Sequence, residues 1–385
     1  MKLLSLGNFE KIIFLILLVY LVMAYLPKVL ENYYIYKQEN DSISLPLVIV
    51  NSFGFTILFC IPEFIIRKKN TGNENKENDD KKAKNIIFIY TDPKKLDLKG
   101  IALLIVVFIF YFAYIYGLNL YEAIYKDKSI SLYGEITKPI EIVFLLVFSK
   151  FIDRAKFYRQ QYIPILIMIL MGVIRFIINI ENSLPDLNFP KDLLFVLMII
   201  FIPLIESVFF FIIKQYMKYK SYSPFFICFI MGVVFLVLSL ILYLITSNIE
   251  CGKSDICEAI TKKTIISDNI TILVILIDII LNGFYLFIQM VTINHFTLFH
   301  LLLFICFGNL VYNLIFFTEH EVLWQIIFII TFIIDILAML VFVEIIILNC
   351  CGMNDNIKIN MISKVGGEID RILELSEVNE QEADK

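Results

Sequence analysis

Asp278, Asn282, Tyr285 and Gln289 recur at spacings of four, three and four. At about 100° per residue a helix carries all of them on one polar face. The surrounding chain is almost wholly apolar, so that face must meet water, a solute or polar groups on a neighbouring helix. A carboxylate in such surroundings costs roughly 2.5–3.5 kcal/mol on insertion scales and usually faces a cavity or a partner. Glu141, Glu206 and Asp335 stand in the same position. Glu206 follows Pro203 by three residues, and the missing proline N–H frees a carbonyl and invites a kink at that depth. Asn309 and Asn313 lie one turn apart, as do Thr331 and Asp335. Groups of this kind can bind a cationic or polar solute or exchange a proton. They can also simply join helices, at about 0.6 kcal/mol per hydrogen bond.

Other chemistry is thinly represented. Phe110, Tyr114, Gly117 and Tyr121 follow the same helical spacing, which suits either an aromatic wall or ordinary packing. Arg175 is expected to snorkel from a span toward the interface. The three histidines, His295, His300 and His320, form no H-E-x-x-H pair, and there is no CxxC and no phosphate-binding glycine loop. The expectation is therefore a protein that is not an enzyme and uses neither metal nor cofactor. Cys60, Cys228 and Cys306 fall inside apolar runs as packable residues. Cys251 and Cys257 share a polar loop and could form a local disulfide in an oxidising compartment, with the unpaired reading left open. Cys350 and Cys351 directly follow the last apolar run.

The elements that must position these residues are transmembrane helices. The apolar set is 59% of 385 residues and charged residues only 18%, gathered in blocks between apolar runs; mean hydropathy is +0.81. A hydrocarbon core of about 30 Å needs about 20 apolar helical residues. Ten stretches meet or approach that length: 11–27, 45–66, 100–121, 133–151, 160–179, 193–216, 222–246, 270–291, 296–317 and 323–348. The fourth is crowded by Glu135, Lys138, Pro139 and Glu141 and could be broken or half-buried. The first lacks a small-residue cleavage site and reads as a retained span. The fold class is thus all-α, a polytopic membrane protein whose solvent partner is the lipid bilayer. The net charge of −4 gives no footprint for nucleic acid.

Basic residues set the orientation. Lys150, Arg154, Lys156 and Arg159 crowd one short connection, and Lys214, Lys218 and Lys220 another, which places both termini in the cytosol. Asn40 and Asn269 begin glycosylation sequons in loops assigned to the outer side, consistent with an endomembrane (ER or Golgi) or plasma-membrane location. The polar run in 70–84 is expected to be disordered within the long loop 67–99. That loop and 248–269 occupy equivalent places in a chain of two five-span units, 1–185 and 186–350, followed by a tail, 351–385. Five is odd, so the units would be inverted, as in secondary transporters.

Local texture agrees with one known group. Lys138-Pro139-Ile140-Glu141 opens a span ending Phe148-Ser149-Lys150-Phe151-Ile152; a basic turn from Lys156 to Arg159 leads through Ile163-Pro164-Ile165 to Gly172-Val173-Ile174. This resembles the fourth and fifth helices of the drug/metabolite transporter superfamily, which includes EamA-type exporters and nucleotide-sugar carriers. The run from Thr292 to His300 resembles its short loop into the ninth helix, and Glu344 to Asn354 is similar to endings of multi-pass proteins of unicellular eukaryotes. The resemblance implies a central pocket lined mainly by helices three, four, eight and nine; the expected partner is a small-molecule solute carried by alternating access, with a homodimer left possible. Nucleotide-sugar carriers need basic groups for phosphates, whereas these span interiors are mostly acidic, which argues against an anionic nucleotide. The rival expectation is a non-transporting membrane receptor or scaffold.

Overall fold

The structure, a computed structural model, describes residues 44–65, 98–124, 130–152, 159–183, 193–220, 222–247, 269–295 and 322–342, with single positions at 15, 19, 298 and 301. Among these residues all regular structure is helical and no strand occurs. In chain order the helices are α1 (Leu45–Phe53), α2 (Leu98–Ile124), α3 (Ile130–Phe151), α4 (Arg159–Ser183), α5 (Leu193–Lys220), α6 (Pro224–Thr246), α7 (Asn269–His295) and α8 (Val322–Phe342). A tighter 3-10 stretch, Gly54–Phe59, follows α1 directly, and helical backbone resumes to Ile65.

Two starts show why the sequence breaks where it does. Ser44 and Ser223 are both extended, and each precedes a proline in the first turn of its helix, where the missing N–H has no intrahelical partner to lose. Ser223 adds a side-chain cap, its Oγ accepting the Phe226 N–H at 3.0 Å.

Among the described residues four helical stretches are long and apolar enough to cross a membrane: Pro46–Ile65, Leu98–Leu120, Pro224–Thr246 and Ile272–Asn294. Each of the latter three has 23 residues, or about 35 Å of α-helix, which exceeds a hydrocarbon core of about 30 Å. Their outward faces are apolar: Leu103, Val106 and Phe110 on α2, Leu240, Ile241 and Leu244 on α6, Leu273, Leu276 and Ile280 on α7 are all exposed. Continuous exposed stripes of this kind suit lipid and not water. Helices α3, α4, α5 and α8 lie where four further spans are expected; apart from positions 15, 19, 298 and 301, the expected first and ninth spans lie outside the described residues, as do 67–97 of the long loop and the tail.

The chain divides into two compact units, one of Met1–Leu145 with Pro185–Glu319, the other of Leu146–Leu184 with His320–Lys385. In the first, the 3-10 stretch packs on α6 and α7, and α2 packs on α5 and α6. Aromatic rings fill these seams. Tyr111 stacks on Phe209 at 3.6 Å between centroids, Phe53 meets Phe235 edge-on at 4.5 Å, and Phe59 stacks on Phe287 at 4.7 Å. In the second unit α4 and α8 pack along each other, with Ile165, Met168, Phe332, Ala338, Val341 and Phe342 buried.

Candidate functional site

The face of α7 predicted from spacing is polar and turned inward. Asp278 and Gln289 are buried, and Asn282 and Tyr285 are half-buried, while Ile277, Ile280 and Phe284 are exposed on the other side. Asn282 Nδ2 donates to Asp278 Oδ2 at 3.1 Å, a bond along one turn of the same helix. Thr292 extends the face by one more turn: it is fully buried, and its hydroxyl donates to the Ile288 carbonyl at 2.8 Å. A helix with lipid-facing aliphatics on one side and a buried carboxylate, two amides and two hydroxyls on the other is amphipathic in the sense a polytopic protein requires.

Glu206 is half-buried on α5, one turn beyond Pro203, and accepts a hydrogen bond from the Tyr114 hydroxyl of α2 at 3.0 Å. Tyr114 belonged to an aromatic spacing read chiefly as ordinary helix packing; the bond gives its hydroxyl a specific carboxyl partner. Tyr111, one turn away, lies 5.6 Å from the Tyr114 ring and stacks on Phe209. The carboxylate therefore sits at the margin of an aromatic cluster.

A third carboxylate was not singled out by the sequence. Glu63, buried near the end of the span that includes the 3-10 stretch, accepts from Ser223 Oγ at 2.5 Å. Because the same oxygen caps α6, Glu63 lies beside the positive end of that helix, where a negative charge is favoured. In the sequence Ser223 fell only within the expected span 222–246 and Glu63 only within 45–66.

In the second unit the structure corrects one expectation. Arg175 does not reach for the interface: its Nη2 lies 2.5 Å from Asp335 Oδ2, with side-chain exposures of 11% and 5%. Asp335 thus meets a guanidinium from α4, and Thr331, one turn earlier, is buried on the same face of α8. Glu206 and Asp335 each have a partner within their own unit. Glu141 on α3 is also buried, 1% exposed, so the most crowded expected span holds a carboxylate inside the protein.

Asn309, Asn313, Asn40, Cys251 and Cys257 lie outside the described residues. Asn269 is the first residue of α7, and its side chain is not among those described. Cys60 and Cys228 are free thiols. Among the described residues no group of three or more His, Cys, Asp or Glu is arranged to hold a metal ion.

Among the described residues of the first unit the buried Asp and Glu side chains are Glu63, Glu141 and Asp278, no Lys or Arg is buried, and Lys214 is half-buried. Lys99, Lys218 and Lys220 are exposed near helix ends. No protein-family model matches the chain, and no curated protein matches it.

Proposed function

We propose that this protein is a secondary-active carrier of a small cationic or polar solute, of the drug/metabolite transporter kind. It is not an enzyme on this reading. The finer architecture belongs to the same proposal: ten spans in two inverted five-helix units, 1–185 and 186–350, with both termini cytosolic, in an endomembrane or the plasma membrane. The observation that carries it is the inward polar face of α7, on which a buried Asp278 and Gln289 share one side of a membrane-length helix with Asn282 and Tyr285. Lipid offers such groups no hydrogen bonds, and a row this long exceeds what one neighbouring side chain satisfies. The acidic interior supports a cation or proton over an anion. Alternating access would move this face between the two sides of the membrane.

Uptake by proteoliposomes across a panel of organic cations, zwitterions and anions tests it. Cation uptake above protein-free liposomes, abolished by Asp278→Asn in a chain that still folds, is the expected result. Uptake confined to anions, or no uptake of any class, refutes it.

A non-transporting receptor or scaffold is favoured by one specific observation. The Arg175–Asp335 and Ser223–Glu63 contacts each satisfy polar groups between neighbouring elements, which is how interior polar residues join helices without any transport path.

A further inference from the structure

The span from Pro46 to Ile65 contains six consecutive residues of 3-10 helix, Gly54–Phe59. Runs beyond three or four residues are uncommon, because the i→i+3 hydrogen bonds have poorer geometry. One local feature weakens the α-helical alternative at the end of the stretch: Pro62 has no N–H to offer the Leu58 carbonyl as an i→i−4 donor. At the end of the stretch the Cys60 N–H is shared between the Ile57 and Leu58 carbonyls, a closer reach than the i→i−4 bond of an α-helix.

The neighbours shape the rest. Thr56 is fully buried, and its hydroxyl donates to the Phe53 carbonyl at 2.6 Å. Gly232 of α6 lies so close that a Cβ there would overlap Thr56 Oγ1 and stand 2.9 Å from the Ile57 nitrogen. Gly283 of α7 is equally tight, its Cβ position 2.7 Å from Phe55 Cβ. The two glycines form a slot that admits this backbone and little more. Phe59 stacks on Phe287 above it, and Glu63, beyond the stretch, is bonded to the capping Ser223.

From this geometry we infer that Gly54–Phe59 is a register switch, which converts between 3-10 and α geometry and so engages or releases Glu63 at the start of α6. The consequence follows from helix parameters. A 3-10 residue rises about 2.0 Å and turns about 120°, against about 1.5 Å and 100° in an α-helix. Over the six residues the conversion shortens the span by about 3 Å and rotates everything beyond Phe59 by about 120°. Glu63 cannot keep Ser223 through such a turn. The engaged state has Glu63 on the α6 cap and Thr56 in the glycine slot; the released state swings Glu63 and Phe64 to another side of the helix. The switch stands whether or not the protein carries a solute.

Electron–electron distance measurement on the full chain in lipid nanodiscs tests it, with spin labels on p-acetylphenylalanine at Phe64 and Tyr219. Both positions are exposed, at 68% and 72%, and the aromatic replacement leaves the native cysteines untouched. A side chain about 5 Å from the helix axis moves roughly 9 Å on a 120° turn, so the two states separate in the distance distribution. Pro62→Ala supplies the i→i−4 donor that α geometry needs at the Leu58 carbonyl, and Glu63→Gln weakens the bond to Ser223; each raises the released fraction severalfold. A shift in either variant supports the switch even if the other fails to fold. One narrow distance, identical in the parent chain and in both variants, overturns it.

Discussion

Replacing Asp335 by Leu tests how dry the seam between α4 and α8 is. The Arg175 guanidinium is 11% exposed and the Asp335 side chain 5%, with 2.5 Å between Nη2 and Oδ2. If water is excluded, removing the carboxylate strands a buried cation, and breaking such a pair costs about 3–5 kcal/mol. If water reaches the pair, the loss falls to the ~0–1 kcal/mol of an exposed bridge. The low exposures select the first value. Arg175→Met should cost a similar amount, because it strands the anion instead. The double variant Arg175→Met/Asp335→Leu, with neither charge left, should lie close to the parent, since apolar replacement of a buried pair is often neutral. With each single variant down by about 3–5 kcal/mol and the double near zero, the cycle yields a coupling of about 6–10 kcal/mol, far outside the additivity expected of independent sites. Reversible unfolding in mixed micelles measures all four proteins. Single variants that each lose under about 1 kcal/mol and add in the double would refute the dry pair.

Further expectations rest on individual contacts. Gly283→Ala should destabilise by about 1–3 kcal/mol, because the new Cβ meets Phe55 Cβ and Cδ1 at 2.7 Å. Gly117→Ala, with nothing within 4 Å of its Cβ position, should be neutral or stabilise by up to about 1 kcal/mol in the same unfolding assay. Ser223→Ala removes both the α6 cap and the donor to Glu63 and should cost about 2–4 kcal/mol, whereas Ser223→Thr should recover most of that. Accessibility labelling should find residue 75 and the C-terminal tail on the same side of the membrane, and finding them on opposite sides would refute the proposed topology.

The polar face of α7 was legible because helical periodicity survives in an apolar sequence: four residues at fixed spacing suffice to define a side. The inward burial of Asp278 and Gln289 follows from the same pattern once the other side is seen to be aliphatic. Glu206 was legible as a costly charge, but its partner was not, since Tyr114 lies 92 positions away and nothing local links them. Arg175 shows the limit more sharply. Read alone, a long cationic side chain toward a span's end snorkels; only the packing of α4 on α8 reveals the carboxylate within reach. The 3-10 stretch had a partial signal in Pro62, but its tightness depends on Gly232 and Gly283, whose meaning is set by what they approach and not by their own neighbours in sequence. Glu63 was missed for the related reason that its importance lies in the helix cap it touches.

A solute path along α7 requires that its polar face meet water while its aliphatic face meets lipid. The most direct measurement introduces single cysteines at Tyr285, half-buried on the polar side, and at Phe284, exposed on the other. Each is made in a chain whose native cysteines are replaced, and is treated in proteoliposomes with a membrane-impermeant cationic thiol reagent. A carrier predicts that Tyr285→Cys reacts, and that an added substrate cation slows the reaction, while Phe284→Cys stays unmodified in the bilayer. An unreactive Tyr285→Cys in a folded chain would mean that the face is sealed against a neighbouring helix, and would contradict the carrier reading.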